Sequence, residues 1–175
     1  PNRNLLLWRD PAVDGIKTGH HSGAGYCLMS SAMRGDQRLI AVVMGSTSEK
    51  QRADDSMALL NWGFRFFETH RLYEAGKAIA QQRVWKGTTK EVQLGVAEPL
   101  LVGVPRGRYG DLKPTMDVPK LLEAPITKGQ AIGTVKVTLD GKLVAQAPLV
   151  ALNDVEQGGF FRRLWDSLMM WWESE

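Results

Sequence analysis

The 175-residue sequence contains a single cysteine and three histidines. One thiol cannot form an intrachain disulfide framework or a cysteine-rich metal site. Cys27 lies between Tyr26 and Leu28 in an apolar run and reads as a buried, inert thiol. His20, His21 and His70 form no H-x-x-x-H pattern, so neither a zinc site nor another metal site is expected. No apolar run approaches the roughly 18 residues that would suggest a membrane-spanning helix, and no signal peptide opens the chain. The start at Pro1-Asn2-Arg3-Asn4, without methionine, reads as that of a mature product or a fragment. Charge of one sign is also scarce. The 22 Lys and Arg against 19 Asp and Glu leave a net charge of +3, with no basic stripe, so a nucleic-acid partner is not expected. No serine is followed three residues on by lysine, and no Ser-x-Asn occurs. An acyl-transfer nucleophile of the Ser-x-x-Lys kind is therefore absent from these residues.

What is present is the composition of a folded protein, 43% hydrophobic and 23% charged, enough for one ordinary domain or two small ones. Residues 13–19, 25–33 and 38–45 read as three strands, with a turn through Gly35. Their links are too short for crossover helices, so the strands form an antiparallel meander. The third is apolar enough to be covered on both faces. A helix follows, with Ser48 as N-cap and Gln51 as its capping-box partner. Ala53, Met57, Leu60, Phe64 and Phe67 recur at helical spacing, a stripe suited to packing on the meander.

Near residue 68 the texture changes to short strands, at 78–85, 90–96, 99–104, 115–118, 131–139 and 142–151, separated by Gly, Pro, Asn and Asp. Asp140-Gly141 is the strongest local signal. Val135, Val137 and Leu139 alternate before it, and Leu143, Ala145 and Ala147 after it, which specifies a two-residue hairpin. The segment reads as a small β-sandwich or barrel without a catalytic constellation. From Phe160 to Trp172 the pattern turns helical again. Phe161, Leu164, Trp165, Leu168, Trp171 and Trp172 share one face, flanked by Phe160 and Met169, with Arg162, Arg163, Asp166 and Ser167 opposite. As a helix it spans about 20 Å, too short to cross a bilayer. Gly158-Gly159 precedes it as a hinge. Indoles favour the membrane–water boundary, so the helix reads as an anchor lying in the interface; docking on the protein's own core is the competing reading.

The sequence Lys17-Thr18-Gly19-His20 ends the first strand. A strand edge there can offer backbone groups to an extended peptide. Lys17 supplies positive charge, Thr18 a hydroxyl that can meet a carboxylate, Gly19 close approach, and the His20 N–H an oxyanion donor. Val13-Asp14-Gly15-Ile16-Lys17-Thr18-Gly19-His20, followed by Ala24-Gly25-Tyr26, resembles the low-molecular-mass penicillin-binding proteins that are D-alanyl-D-alanine carboxypeptidases, of the penicillin-binding protein 5 and 6 type. The likeness continues through Arg38-Leu39-Ile40, Val43-Met44-Gly45, Trp62 to Glu68, Pro105-Arg106-Gly107-Arg108 and the closing aromatic helix.

The resemblance implies an α+β fold. Residues 1–67 would be the C-terminal part of a catalytic domain with a helix packed on an antiparallel sheet. Residues 68–155 would form a small β-sandwich domain, and 156–175 an amphipathic anchor. It implies a periplasmic enzyme held peripherally on the inner membrane, trimming the terminal D-alanine from peptidoglycan pentapeptides through a serine acyl-enzyme that β-lactams also form, without a cofactor. Lys17 would organise the nucleophile's proton network. Thr18 and Arg52 would meet the substrate carboxylate beside Gly19, and His20 would complete the oxyanion hole. The serine and general base would come from an upstream half of the same protein. A non-catalytic membrane-associated module and a β-lactamase are the alternatives.

Overall fold

The structure, a computed structural model, describes residues 2–160, 165–167 and 169. The chain divides into two compact units, Pro1–His70 with Gly103–Gly110, and Arg71–Val102 with Asp111–Glu175.

In the first unit a short helix α1 (Leu6–Arg9) leads into strands β1 (Val13–His21), β2 (Gly25–Arg34) and β3 (Gln37–Ser46), then helix α2 (Glu49–Phe66). The strands form an antiparallel sheet in the order β1-β2-β3. Leu28, Ala32 and Ala41 from the sheet meet Ala53, Leu60 and Phe64 from α2, together with Leu6 and Val13. Period-2 and period-3.6 apolar patterns thus converge on one core. Four residues are too few to show a helical period, and nothing in the sequence marks α1. It is held by Asn4, itself buried, whose side-chain oxygen accepts the Leu6 N–H at 3.1 Å, and by Leu6, which is fully buried.

Helix α2 starts where its cap places it. The Ser48 hydroxyl accepts the Gln51 N–H at 3.1 Å. Gln51 reaches back one residue further than a capping box requires, accepting the Thr47 N–H at 3.3 Å and bonding the Thr47 hydroxyl. Ala53, Leu60 and Phe64 are buried and Met57 is half-buried, but Phe67 leaves the stripe. Its backbone is extended and begins the next strand. The stop is tertiary: Arg106 donates to the carbonyls of Phe64 at 2.9 Å and Arg65 at 3.0 Å, and its backbone N–H takes Phe66 at 2.8 Å.

β3 also departs from expectation. One face packs on α2, but on the other Ile40, Val42 and Met44 stand open beside Met29 and Met33. The largest exposure is 76%, at Met44. Among the described residues of this unit no layer covers that face.

The remaining strands are β4 (Phe67–Tyr73), β5 (Ala80–Trp85), β6 (Glu91–Gly95), β7 (Leu100–Pro105), β8 (Lys113–Asp117), β9 (Leu122–Glu123), β10 (Ala131–Leu139) and β11 (Lys142–Ala151). The division between units falls inside β4 and β7, which pair with each other. The others form a six-stranded sheet, β8-β10-β11-β6-β5-β9, antiparallel except for β5 with β9. Val84, Val92, Leu94, Ile126 and Val155 lie at the centre of its core. β4 and β9 carry no strand signal in the sequence: in β4 four consecutive polar residues, Glu68 to Arg71, break any apolar alternation, and β9 is two residues long.

At the β10–β11 hairpin Asp140 and Gly141 both have positive φ, 51° and 75°, as the two-residue turn demands. A register shift after the turn pairs Thr138 with Leu143 but Val137 with Ala145. The extra residue turns Leu143 outward, and it is 53% exposed instead of inward-facing.

Near the C-terminus Phe160, 165–167 and 169 are helical. Phe160 and Trp165 are well exposed, whereas the Asp166 carboxylate accepts the Lys86 N–H at 2.7 Å. Phe161, Leu164, Leu168, Trp171 and Trp172 lie outside the described residues. No helix among the described residues is long and apolar enough to cross a membrane.

Candidate active site

β1 is an edge strand, paired only with β2 among the described residues. In register Lys17 faces Met29, Thr18 faces Leu28, Gly19 faces Cys27 and His20 faces Tyr26. Strand alternation therefore sorts the motif. Lys17 shares the open apolar face with Met29 and Val42, while Thr18 lies on the side of Leu28 and the core. The Lys17 ammonium is exposed and donates to the Thr18 carbonyl at 2.8 Å. The free edge of β1 and its four motif residues line a cavity of about 610 Å³, completed by Asn4, Leu7, Glu49 and Arg52.

Arg52 belongs to this cavity but not as a solvated helix charge, for its side chain is 3% exposed. Its guanidinium donates to the carbonyls of Gly19 at 3.3 Å and Arg3 at 3.1 Å, and approaches Glu49 at 3.4 Å. The residue expected beside a substrate carboxylate thus also fastens α2 to the motif strand. Cys27, expected to be buried, is partly exposed, with Sγ 3.5 Å from the Ala24 carbonyl. Its Sγ also lies 3.9 Å from the Gly25 carbonyl, beside the turn that opens β2. Among the described residues no group of three or more His, Cys, Asp or Glu gathers where a metal could be held.

Two polar clusters have no signal in the sequence because their members are distant along the chain. On the open face Arg38 joins Asp14 at 2.7 Å and bonds the Ser31 hydroxyl, tying β3 to β1 across β2. At the end of α2 the Glu68 carboxylate accepts the Gly107 N–H at 2.9 Å, with His70 at 3.3 Å and Arg106 at 3.6 Å. The Gly107 N–H, then His70 and Arg106, hold the Glu68 carboxyl below the usual range. Asp10 is lowered by the Ala12 N–H and then Arg34, Asp14 by Arg38 and Ser31, and Asp54 by Lys50 and Arg9. A carboxylate with a depressed folded-state pKa binds fewer protons folded than unfolded. Its contribution is present above the ordinary carboxylate range and is lost as pH falls through the folded value. The urea midpoint of the first unit should therefore hold near neutrality and fall below about pH 4. Glu68→Gln should flatten that slope, and an unchanged slope would remove Glu68 from the account.

Known proteins are similar to this chain over nearly its whole length. Residues 67–157 match the family described as penicillin-binding protein 5, C-terminal domain, and residues 1–48 match the D-alanyl-D-alanine carboxypeptidase family. The chain belongs to the penicillin-binding protein 5 and 6 type of D-alanyl-D-alanine carboxypeptidases and corresponds to their C-terminal portion. It is 48% identical to the D-alanyl-D-alanine carboxypeptidase DacC of Escherichia coli over 173 residues, 97% of this chain and 43% of that protein. To DacA of Haemophilus influenzae it is 46% identical over 172 residues, 97% of this chain and 44% of that one. The crystal structure of penicillin binding protein 5 from Haemophilus influenzae superposes with a TM-score of 0.79 at 46% identity, covering 90% of this chain and 46% of the other. The chain thus spans less than half the length of these relatives.

Proposed function

We propose that this chain forms one wall of a serine-type D-alanyl-D-alanine carboxypeptidase site, completed by an upstream segment of the same protein that carries the nucleophile and general base. The observation that supports it most is the placement of Lys17-Thr18-Gly19-His20 on a free strand edge, lining one cavity with Arg52. A peptide added to that edge as a further strand brings its C-terminal carboxylate towards Thr18 and the Arg52 charge. Its scissile carbonyl then lies beside the His20 N–H, where negative charge develops when the serine adds. The serine oxygen bonds to the carbonyl carbon, the amide bond breaks, and D-alanine departs with a proton on its nitrogen. Water then cleaves the ester, releasing the shortened peptide. Lys17, on the open face, directs positive charge towards the side from which the serine arrives. β-Lactams, as mimics of the dipeptide, acylate the same serine. The open row of Met29, Ile40, Val42 and Met44 is the surface on which the upstream segment packs. Residues 1–67 are the catalytic part, 68–155 a β-domain and 156–175 the anchor. The protein works in the periplasm at the inner-membrane surface.

The direct test is release of D-alanine from a peptidoglycan pentapeptide by the protein carrying its upstream segment, together with covalent labelling by a fluorescent penicillin. Retention of neither activity would sink the reading. For the anchor, the exposed Trp165 and the Asp166 bond to Lys86 suggest a helix held on one face and free on the other. Deleting residues 158–175 should move most of the protein from the membrane to the soluble fraction. Unchanged partition would mean the helix serves the protein's own core.

A further inference from the structure

The ring of Tyr26 touches two of the groups assigned to the site. His20 and Tyr26 are directly opposed across β1 and β2, with ring centroids 4.1 Å apart and planes tilted by 35°. On α2 the Arg52 guanidinium carbon lies 5.5 Å from the centroid of the same ring. The position of the ring is itself constrained. Tyr26 pairs with His20 on one side and Ser46 on the other. The preceding Gly25 has φ of 65°, and a Cβ there would come within 2.9 Å of the Ser46 carbonyl. The chain therefore enters β2 by a turn that a side chain at position 25 would not tolerate, which constrains the backbone carrying the ring.

We propose that Tyr26 is a positioning residue for the terminal carboxylate of an extended peptide. Its ring sets the His20 end of β1 and the Arg52 guanidinium at a fixed separation, so that the Thr18 hydroxyl and the Arg52 charge converge on one anion. The imidazole rests on the π-face, and the cation is drawn to it by the ring quadrupole. Neither contact needs the phenol oxygen. The proposal rests on the carboxypeptidase reading, because the carboxylate is that reading's substrate group.

In the protein carrying its upstream segment, Tyr26→Leu should raise KM for a pentapeptide roughly tenfold while kcat changes less than about threefold, since two contacts each worth a few-fold are lost. Tyr26→Phe should leave KM within about twofold, because the ring remains. The His20 Hε1 proton resonance, displaced by the ring current of Tyr26, should shift in Tyr26→Leu and stay put in Tyr26→Phe. Tyr26→Val, which suits a strand, is read the same way if the leucine variant does not fold. Unchanged KM in Tyr26→Leu alongside lost turnover in Lys17→Ala would overturn the positioning role alone. Unchanged turnover in Lys17→Ala would overturn the carboxypeptidase reading and this proposal with it. Failure of both the leucine and valine variants to fold would confine Tyr26 to a folding role and overturn the positioning role.

Discussion

Replacing Lys17 by alanine is expected to slow covalent labelling by a fluorescent penicillin about 100- to 1000-fold, in the protein carrying its upstream segment. The same variant should unfold within about 0.5 kcal/mol of the parent, as exposed surface substitutions do. The two expectations come from one geometry. The Lys17 side chain is exposed on the open face of the sheet, and among the described residues its ammonium bonds only the neighbouring Thr18 carbonyl. The fold therefore loses little without it. A nucleophile approaching that face loses the positive charge that favours its ionised form and the developing oxyanion. Thr18→Val makes the contrasting case, because the threonine lies on the other side of the strand with Arg52. It should act mainly on the peptide's KM, through the lost carboxylate hydrogen bond, and less on the rate of acylation. Stopped-flow labelling and pentapeptide kinetics on the two variants separate these roles. If Lys17→Ala labelled at the parent rate, the catalytic assignment of the motif would fail.

What the sequence displays of the fold depends on where each signal lies along the chain. The meander, the start of α2 and the Asp140-Gly141 hairpin are local. Their patterns and turn residues lie within a dozen positions, so the sequence displays them directly. Phe67 shows the limit of such reading. It fits the helical stripe, but Arg106, some forty residues on, binds the last carbonyls of α2 and ends the helix one residue earlier. The apolar run of β3 suggests two covered faces, and the described residues cover one. Periodicity reports that a face is suited to burial, not what buries it. Leu143 departs from its alternation because a bulge leaves no mark on composition. In the candidate site, Lys17, Thr18, Gly19 and His20 are contiguous and legible as a motif. The burial of Arg52, its bonds to Gly19 and Arg3, and the ring of Tyr26 between Arg52 and His20 depend on tertiary packing between β1, β2 and α2. No spacing rule connects those positions.

Arg52 joins the fold to the proposed site, and its removal carries the other large expected effect. Arg52→Ala should destabilise the first unit by about 3 kcal/mol, because the Gly19 and Arg3 carbonyls lose a charged donor and the space of a buried side chain is emptied. Arg52→Met fills most of that space without donors, so it should recover part of the packing and none of the hydrogen bonding. Arg52→Lys keeps the charge but offers a point donor where a planar fork spans two carbonyls. These differences make the site contribution measurable apart from the fold. Arg52→Lys and Arg52→Met should both weaken pentapeptide binding, the methionine more strongly because no cation remains to face the carboxylate. Urea midpoints rank the variants for stability, and KM at a temperature where all are folded ranks them for carboxylate recognition. A methionine variant that lost stability but kept the parent KM would leave Arg52 a brace between α2 and β1, and the carboxylate would then be met by Thr18 without it.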